Sequence, residues 1–136
     1  MRFVLALGLM LATACGGSPV EEGVFFPTWE AEGDVPAGQV QGVLIEEHRC
    51  LFVEANGLRT LVVWEAGLGF ENGGLLDPSG APIASVGDTI HGGGGYFGDR
   101  RHIENLAEEP IPKRCVPVGD GDRFALIYEV EAGRFE

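Results

Sequence analysis

The chain of 136 residues reads as one small all-β domain, a barrel or a sandwich, and three observations lead there. Short apolar runs of strand length recur from Gln39 onward, separated by turn-forming residues. An Asn-Gly pair, Asn56-Gly57, stands between two of those runs, where a type I′ hairpin needs two residues at positive φ. Two neighbouring runs also carry apolar residues on both alternating faces (Leu51 and Val53 against Cys50 and Phe52), as in strands covered on both sides or closed tightly into a barrel. The length suits one domain with a single core.

Taken in order, Val40 to Glu47 predicts the first strand, Arg49 to Ala55 the second and Leu58 to Trp64 the third. Leu75-Leu76 and Ala81 to Val86 flank Asp77-Pro78-Ser79-Gly80, a combination that favours a turn. Gly87-Asp88 introduces a further turn before Thr89-Ile90. A short helix is expected over Arg100 to Glu108, stopped by Pro110 and Pro112. The last strand spans Arg123 to Val130, placing Phe124, Leu126, Tyr128 and Val130 on one face and Ala125 and Ile127 on the other. Five or six short strands in this arrangement favour an OB-like barrel.

The first residues carry a different signal. Arg2 supplies one positive charge, Phe3 to Leu11 is an unbroken run of apolar residues and glycine, and Ala12-Thr13-Ala14 are small. These are the parts of a secretory signal, with cleavage expected after residue 14. The run is too short to span a bilayer as a helix. Leu11-Ala12-Thr13-Ala14-Cys15 resembles the lipobox of bacterial lipoproteins, although leucine is usual where Ala12 stands. That resemblance implies diacylglycerol on the Cys15 thiol and acylation, such as palmitate, at the new amino terminus, enough for stable anchoring. The implied location is the cell envelope: the outer membrane if the cell has one, otherwise the outer face of the plasma membrane. Residues 15–38 then read as the lipidated cysteine and a tether, in which Phe25, Phe26 and Trp29 dock on the domain formed by residues 39–136.

With Cys15 lipidated, Cys50 and Cys115 remain as an even pair in an oxidising compartment, and a disulfide between them is the expected staple. The alternative for that pair is a metal-binding or catalytic thiol, for which neither cysteine has C-x-x-C spacing.

Removal of residues 1–14 leaves eight basic against twenty-one acidic residues, a formal charge of −13. Such a balance opposes nucleic acid, whose binding depends on cationic side chains neutralising phosphates. The partners expected are the membrane, through the lipid, and an envelope protein or polysaccharide.

A second resemblance spans residues 42–98. Gly42-Val43-Leu44, Arg49-Cys50-Leu51, Val62-Val63-Trp64, Gly67, Val86-Gly87-Asp88-Thr89-Ile90 and Gly92 to Gly95, with Cys115 beyond, resemble a pattern of small uncharacterised bacterial envelope proteins. Trp64-Glu65 stands where Trp-Pro is common, and the resemblance implies no activity.

Candidate sites are few. His91 to Gly95 is similar to the glycine-rich oxyanion loop of some esterases, but Ser18, Ser79 and Ser85 lie in no G-x-S-x-G elbow. The same glycines lack the Gly-Lys-Ser/Thr of a phosphate loop, so close backbone packing is the simpler expectation. Trp64, Tyr96 and Phe97 would form a platform for a sugar or an extended chain if they faced outward together. Asp99, Asp120 and Asp122 offer oxygen ligands without a calcium-loop pattern, and His48, His91 and His102 lack zinc spacing, so no metal or other cofactor is expected. Glu21-Glu22, Glu46-Glu47 and Glu108-Glu109 are adjacent pairs, poorly placed for shared acid–base work on a strand. The sequence thus favours a non-enzymatic binding or structural module, with a hydrolase acting on cell-wall or carbohydrate substrate as the alternative.

Overall fold

A computed structural model describes residues 17–117 and 123–135. Its strands are β1 (Thr28–Trp29), β2 (Gly38–Glu47), β3 (Cys50–Ala55), β4 (Leu58–Glu65), β5 (Gly69–Glu71), β6 (Gly74–Leu76), β7 (Pro82–Ser85), β8 (Thr89–Phe97) and β9 (Phe124–Ala132). Helix α1 spans Arg100–Ala107, and a 3-10 turn spans Lys113–Cys115.

β2, β3 and β4 form an antiparallel meander, β8 pairs antiparallel with β2 and with β9, and β9 returns parallel to β4. That last pairing closes a five-stranded barrel in the order β4-β3-β2-β8-β9, an OB-like arrangement. β1 adds to the outer side of β4. Between β4 and β8 the chain makes a separate three-stranded sheet, β5-β6-β7. Its Phe70, Leu75 and Ala84 join the barrel's interior cluster with Leu44, Val53, Val62, Trp64 and Ile127.

Local chemistry explains the turns. Asn56 and Gly57 have φ of 53° and 74°, as the type I′ expectation requires. Asn72-Gly73 closely repeats those values between β5 and β6, a second hairpin signal of the same kind. His48 and Arg49 also adopt φ of 53° and 60° between the paired Glu47 and Cys50. Neither residue signals such a turn, and the paired strands on either side impose it. Helix α1 begins where Asp99 accepts from the N–H groups of Arg101 and His102, and it ends at Glu108 in the left-handed region.

Alternation puts Leu51 and Val53 of β3 and Val62 and Trp64 of β4 inside the barrel. Cys50, Phe52, Leu61 and Val63 belong to a second cluster on the outer side, with Phe124 and Leu126 of β9. That outer cluster is covered by Phe25 and Trp29 of the N-terminal segment, Ile103 of α1, and Ile111 and Cys115 beyond the helix. The Cys50–Cys115 disulfide is formed, with its Cα atoms 5.5 Å apart, as the sequence led us to expect.

One expectation changes. Val130 does not share a face with Phe124, Leu126 and Tyr128 but joins the interior cluster. The cause is a bulge: Gly93 pairs with Tyr128 while His91 pairs with Glu131, so β9 carries one extra residue, and Glu129 sits at φ 51°. One inserted residue reverses the in–out phase of everything after it. Within the stretch ahead of residue 39, Phe25, Phe26 and Trp29 are buried against the domain, in keeping with the expected docking. Ser18 N–H donates to Gly67 O (3.0 Å), Phe70 N–H to Pro19 O (3.0 Å) and Phe25 N–H to Arg49 O (2.9 Å). Among the described residues, backbone pairing with the domain starts at Ser18.

Candidate functional site

Among the sequence's candidates, Cys15 and the preceding signal lie outside the described residues, as do Asp120 and Asp122. The remaining ones can be placed.

The aromatic platform is not assembled. Trp64 is fully buried inside the barrel, stacked on Phe26 with ring centroids 5.5 Å apart and planes 2° apart. It follows Val63 on β4, and strand alternation turns it to the interior. Its indole N–H has no protein acceptor. Phe97 is half-buried against the outer cluster, with the His102 ring beside it at 5.6 Å. Only Tyr96 faces outward, 45% exposed, with the Arg123 guanidinium 5.8 Å from its ring centre.

The glycine run belongs to β8, and close packing accounts for it. A Cβ on Gly94 would stand 1.8 Å from Leu126 O, and its φ of 154° is one that side chains rarely adopt. A Cβ on Gly93 would meet the Tyr128 ring at 2.4 Å, and one on Gly92 would meet Ile127 at 2.7 Å. The glycines therefore let β9 lie tightly against β8, with Ile127 filling the barrel and Tyr128 covering Gly93. Tyr128 is itself fixed by donating from its hydroxyl to Pro36 O (2.9 Å). These are backbone-packing positions, and the likeness to an oxyanion or phosphate loop ends there.

OB-type barrels commonly bind ligands on the outer face of their second and third strands, beside the loops joining strands one to two and four to five. The equivalents here are β3 and β4, the His48-Arg49 turn and the connection from β8 to β9. That face is filled by the protein's own chain. Trp29 lies on it, 6% exposed, and its Nε1–H donates to Ile127 O (3.1 Å). Ile103, Ile111 and Cys115 cover the rest. Arg100 holds the connection by donating to Ile111 O (2.9 Å), and Ile111 N–H donates to Glu104 Oε2 (2.8 Å). The disulfide ties the connection to the start of β3.

The charged groups are spread rather than convergent. His48 sits in the β2–β3 turn, His91 on β8 with Nδ1 2.7 Å from Gly133 O, and His102 on α1. No group of three or more His, Cys, Asp or Glu among the described residues is arranged to hold a metal ion. Glu47 and Glu54 both pair with Arg59 on the exposed side of the meander. The Asp77 carboxyl is held below its ordinary range. A hydrogen bond from the Ser79 hydroxyl, then one from the Ala81 N–H, holds its pKa down. This serves the β6–β7 turn. Open grooves lie beside Asp99, Arg101 and Glu104 at the start of α1, and between Thr28 to Glu30 and Leu106 to Glu108 at its end.

Comparison with protein-family models, curated proteins and solved structures found no match to this chain. No helix among the described residues is long and apolar enough to cross a membrane.

Proposed function

We propose that this chain is an exported lipoprotein of the cell envelope, cut before Cys15 and held to the membrane by acyl chains on that residue. Its OB-like domain acts as a non-catalytic binding or structural module at the membrane surface. The cysteine pattern is the observation that carries this reading. Two of the three cysteines pair as Cys50–Cys115, and the third directly follows Ala12-Thr13-Ala14 at the end of an apolar run. A structural disulfide fits an oxidising compartment, reached through a secretory signal. The resemblance of residues 42–98 to small envelope proteins points the same way.

The non-catalytic part rests on what the polar and glycine-rich features already do. The glycines of β8 admit β9, Trp64 fills the barrel, and Asp77 organises a turn. A partner would meet Tyr96, Arg123 and Leu58, exposed side chains or neighbours of one near the start of β4 and the end of β8.

Intact-mass analysis of the protein from isolated membranes tests the anchor. The expected species begins at Cys15 and carries added acyl mass, and Cys15→Ala removes both the added mass and membrane retention. A mature, soluble wild-type chain with an unmodified Cys15 would sink the proposal.

A further inference from the structure

We infer that the domain stands directly on the bilayer, with the Asp77–Gly80 turn and the β4–β5 connection at Gly67 against the lipid headgroups. This rests on the lipoprotein reading above and adds an orientation to it. The argument is one of chain length. Ser18 is fixed to the domain: its N–H donates to Gly67 O, its hydroxyl donates to Asp77 O, and Pro19 O accepts from Phe70 N–H. Three residue steps separate Cys15 from Ser18. At 3.8 Å between consecutive Cα atoms, they reach at most about 11 Å.

The acylated end of Cys15 must lie where hydrocarbon meets headgroups. The headgroup layer is itself roughly 5–8 Å thick on each side. Ser18 therefore lies within the headgroup layer or just outside it, and the surface bonded to Ser18 lies there too. A flexible tether would lift the domain clear, but only Gly16 and Gly17 stand between the anchor and Ser18.

The strand directions identify the opposite end. β4 runs from Leu58 to Glu65, just before Gly67. Leu58 is 49% exposed beside the Asn56-Gly57 turn. It lies a strand's length away, roughly 20 Å at about 3.3 Å per residue. Tyr96 pairs with Ala125, which pairs with Val62, so it stands part-way along β4 between the two ends. The membrane-facing turn carries the acidic Asp77, so covalent attachment, rather than attraction to anionic lipid, holds it there.

The test uses the mature lipoprotein in phosphatidylcholine vesicles containing a headgroup-nitroxide lipid. A fluorophore is attached at Ser79→Cys in one sample and at Leu58→Cys in another. We expect quenching several-fold stronger at position 79. A flexible Gly-Ser segment of about twelve residues, with a root-mean-square length of roughly 20 Å, inserted between Gly16 and Gly17 should largely abolish that difference. Equal quenching at both positions, or stronger quenching at 58, on protein that floats with the vesicles overturns the orientation and leaves the anchor standing. Protein without acyl mass that does not float overturns both. Should an added cysteine disturb the native disulfide, amide exchange on unlabelled protein makes the same comparison. Slowing at 79–81 relative to the Cys15→Ala protein, without slowing at 56–58, supports the orientation; the reverse pattern overturns it.

Discussion

The inner and outer apolar layers of β3, β4 and β9 are drawn from the same strands, residue by residue, yet they are closed by different means. The inner layer is sealed by the barrel itself, by the β5-β6-β7 sheet and by Val24 and Phe26 of the N-terminal segment, with Trp64 and Phe70 fully buried. The outer layer is sealed by pieces with little regular structure: an N-terminal strap bearing Phe25 and Trp29, helix α1, and a connection tied down at Cys115. Strand pairing organises most of the first. The second needs a covalent tie, because a short helix and a strap lose much chain entropy for the area each covers. The difference teaches where stability is cooperative and where it is local.

The largest effect is expected inside. Trp64→Ala should cost about 3–5 kcal/mol, as large-to-small changes in a packed core do. Urea denaturation should show the midpoint falling as one transition for the whole domain. Trp64→Phe sharpens the point, because it keeps an aromatic ring against Phe26 while removing an N–H that has no protein acceptor. Its cost should be far smaller than that of the alanine variant, since an unpaired buried donor carries its own penalty of about 1–3 kcal/mol.

Breaking the outer layer comes next. The disulfide closes a separation of 65 residues, for which the chain-entropy model gives about 4 kcal/mol before any strain is subtracted. The Cys50→Ala, Cys115→Ala double variant should therefore lose a little less than that. The loss should be uneven: amide exchange should speed up first in α1 and residues 109–117, while β2, β3 and β4 keep their protection. Uniform loss of protection would make the two layers a single cooperative unit and remove the distinction.

The smallest effect is at the β6–β7 turn. The pKa of Asp77 is lowered in the folded protein, so its contribution is present above the ordinary carboxylate pKa and is lost as pH falls through the lowered value. Its carboxyl resonance should titrate below that of an unstructured aspartate. Asp77→Asn should remove that titration with little change in stability near neutral pH, because the side chain is solvated.

Much of the fold was legible in the sequence for reasons that can be named. Asn56-Gly57 marked its hairpin because few residue pairs accept two positive φ values, and β3 announced two covered faces because no polar residue interrupts Cys50 to Val53. Asn72-Gly73 carried the same signal as its counterpart, but the strands it joins are three residues each, too short to show alternation. The β8 glycines were legible as packing positions but not as a strand, since they have no side chains to alternate.

By itself, then, the sequence determined the all-β class, the principal strands and the pairing expected of Cys50 and Cys115. These follow from local chemistry: turn propensity, period-two alternation and cysteine count. Tertiary structure decided how the barrel closes through the parallel β4–β9 pairing, that a bulge at Glu129 turns Val130 inward, and that Trp64 is core rather than surface. It also decided that the chain from Ser18 onward is packed against the domain. Those outcomes depend on contacts between residues far apart in sequence, where only the assembled barrel sets which face is inside and which segment covers the other.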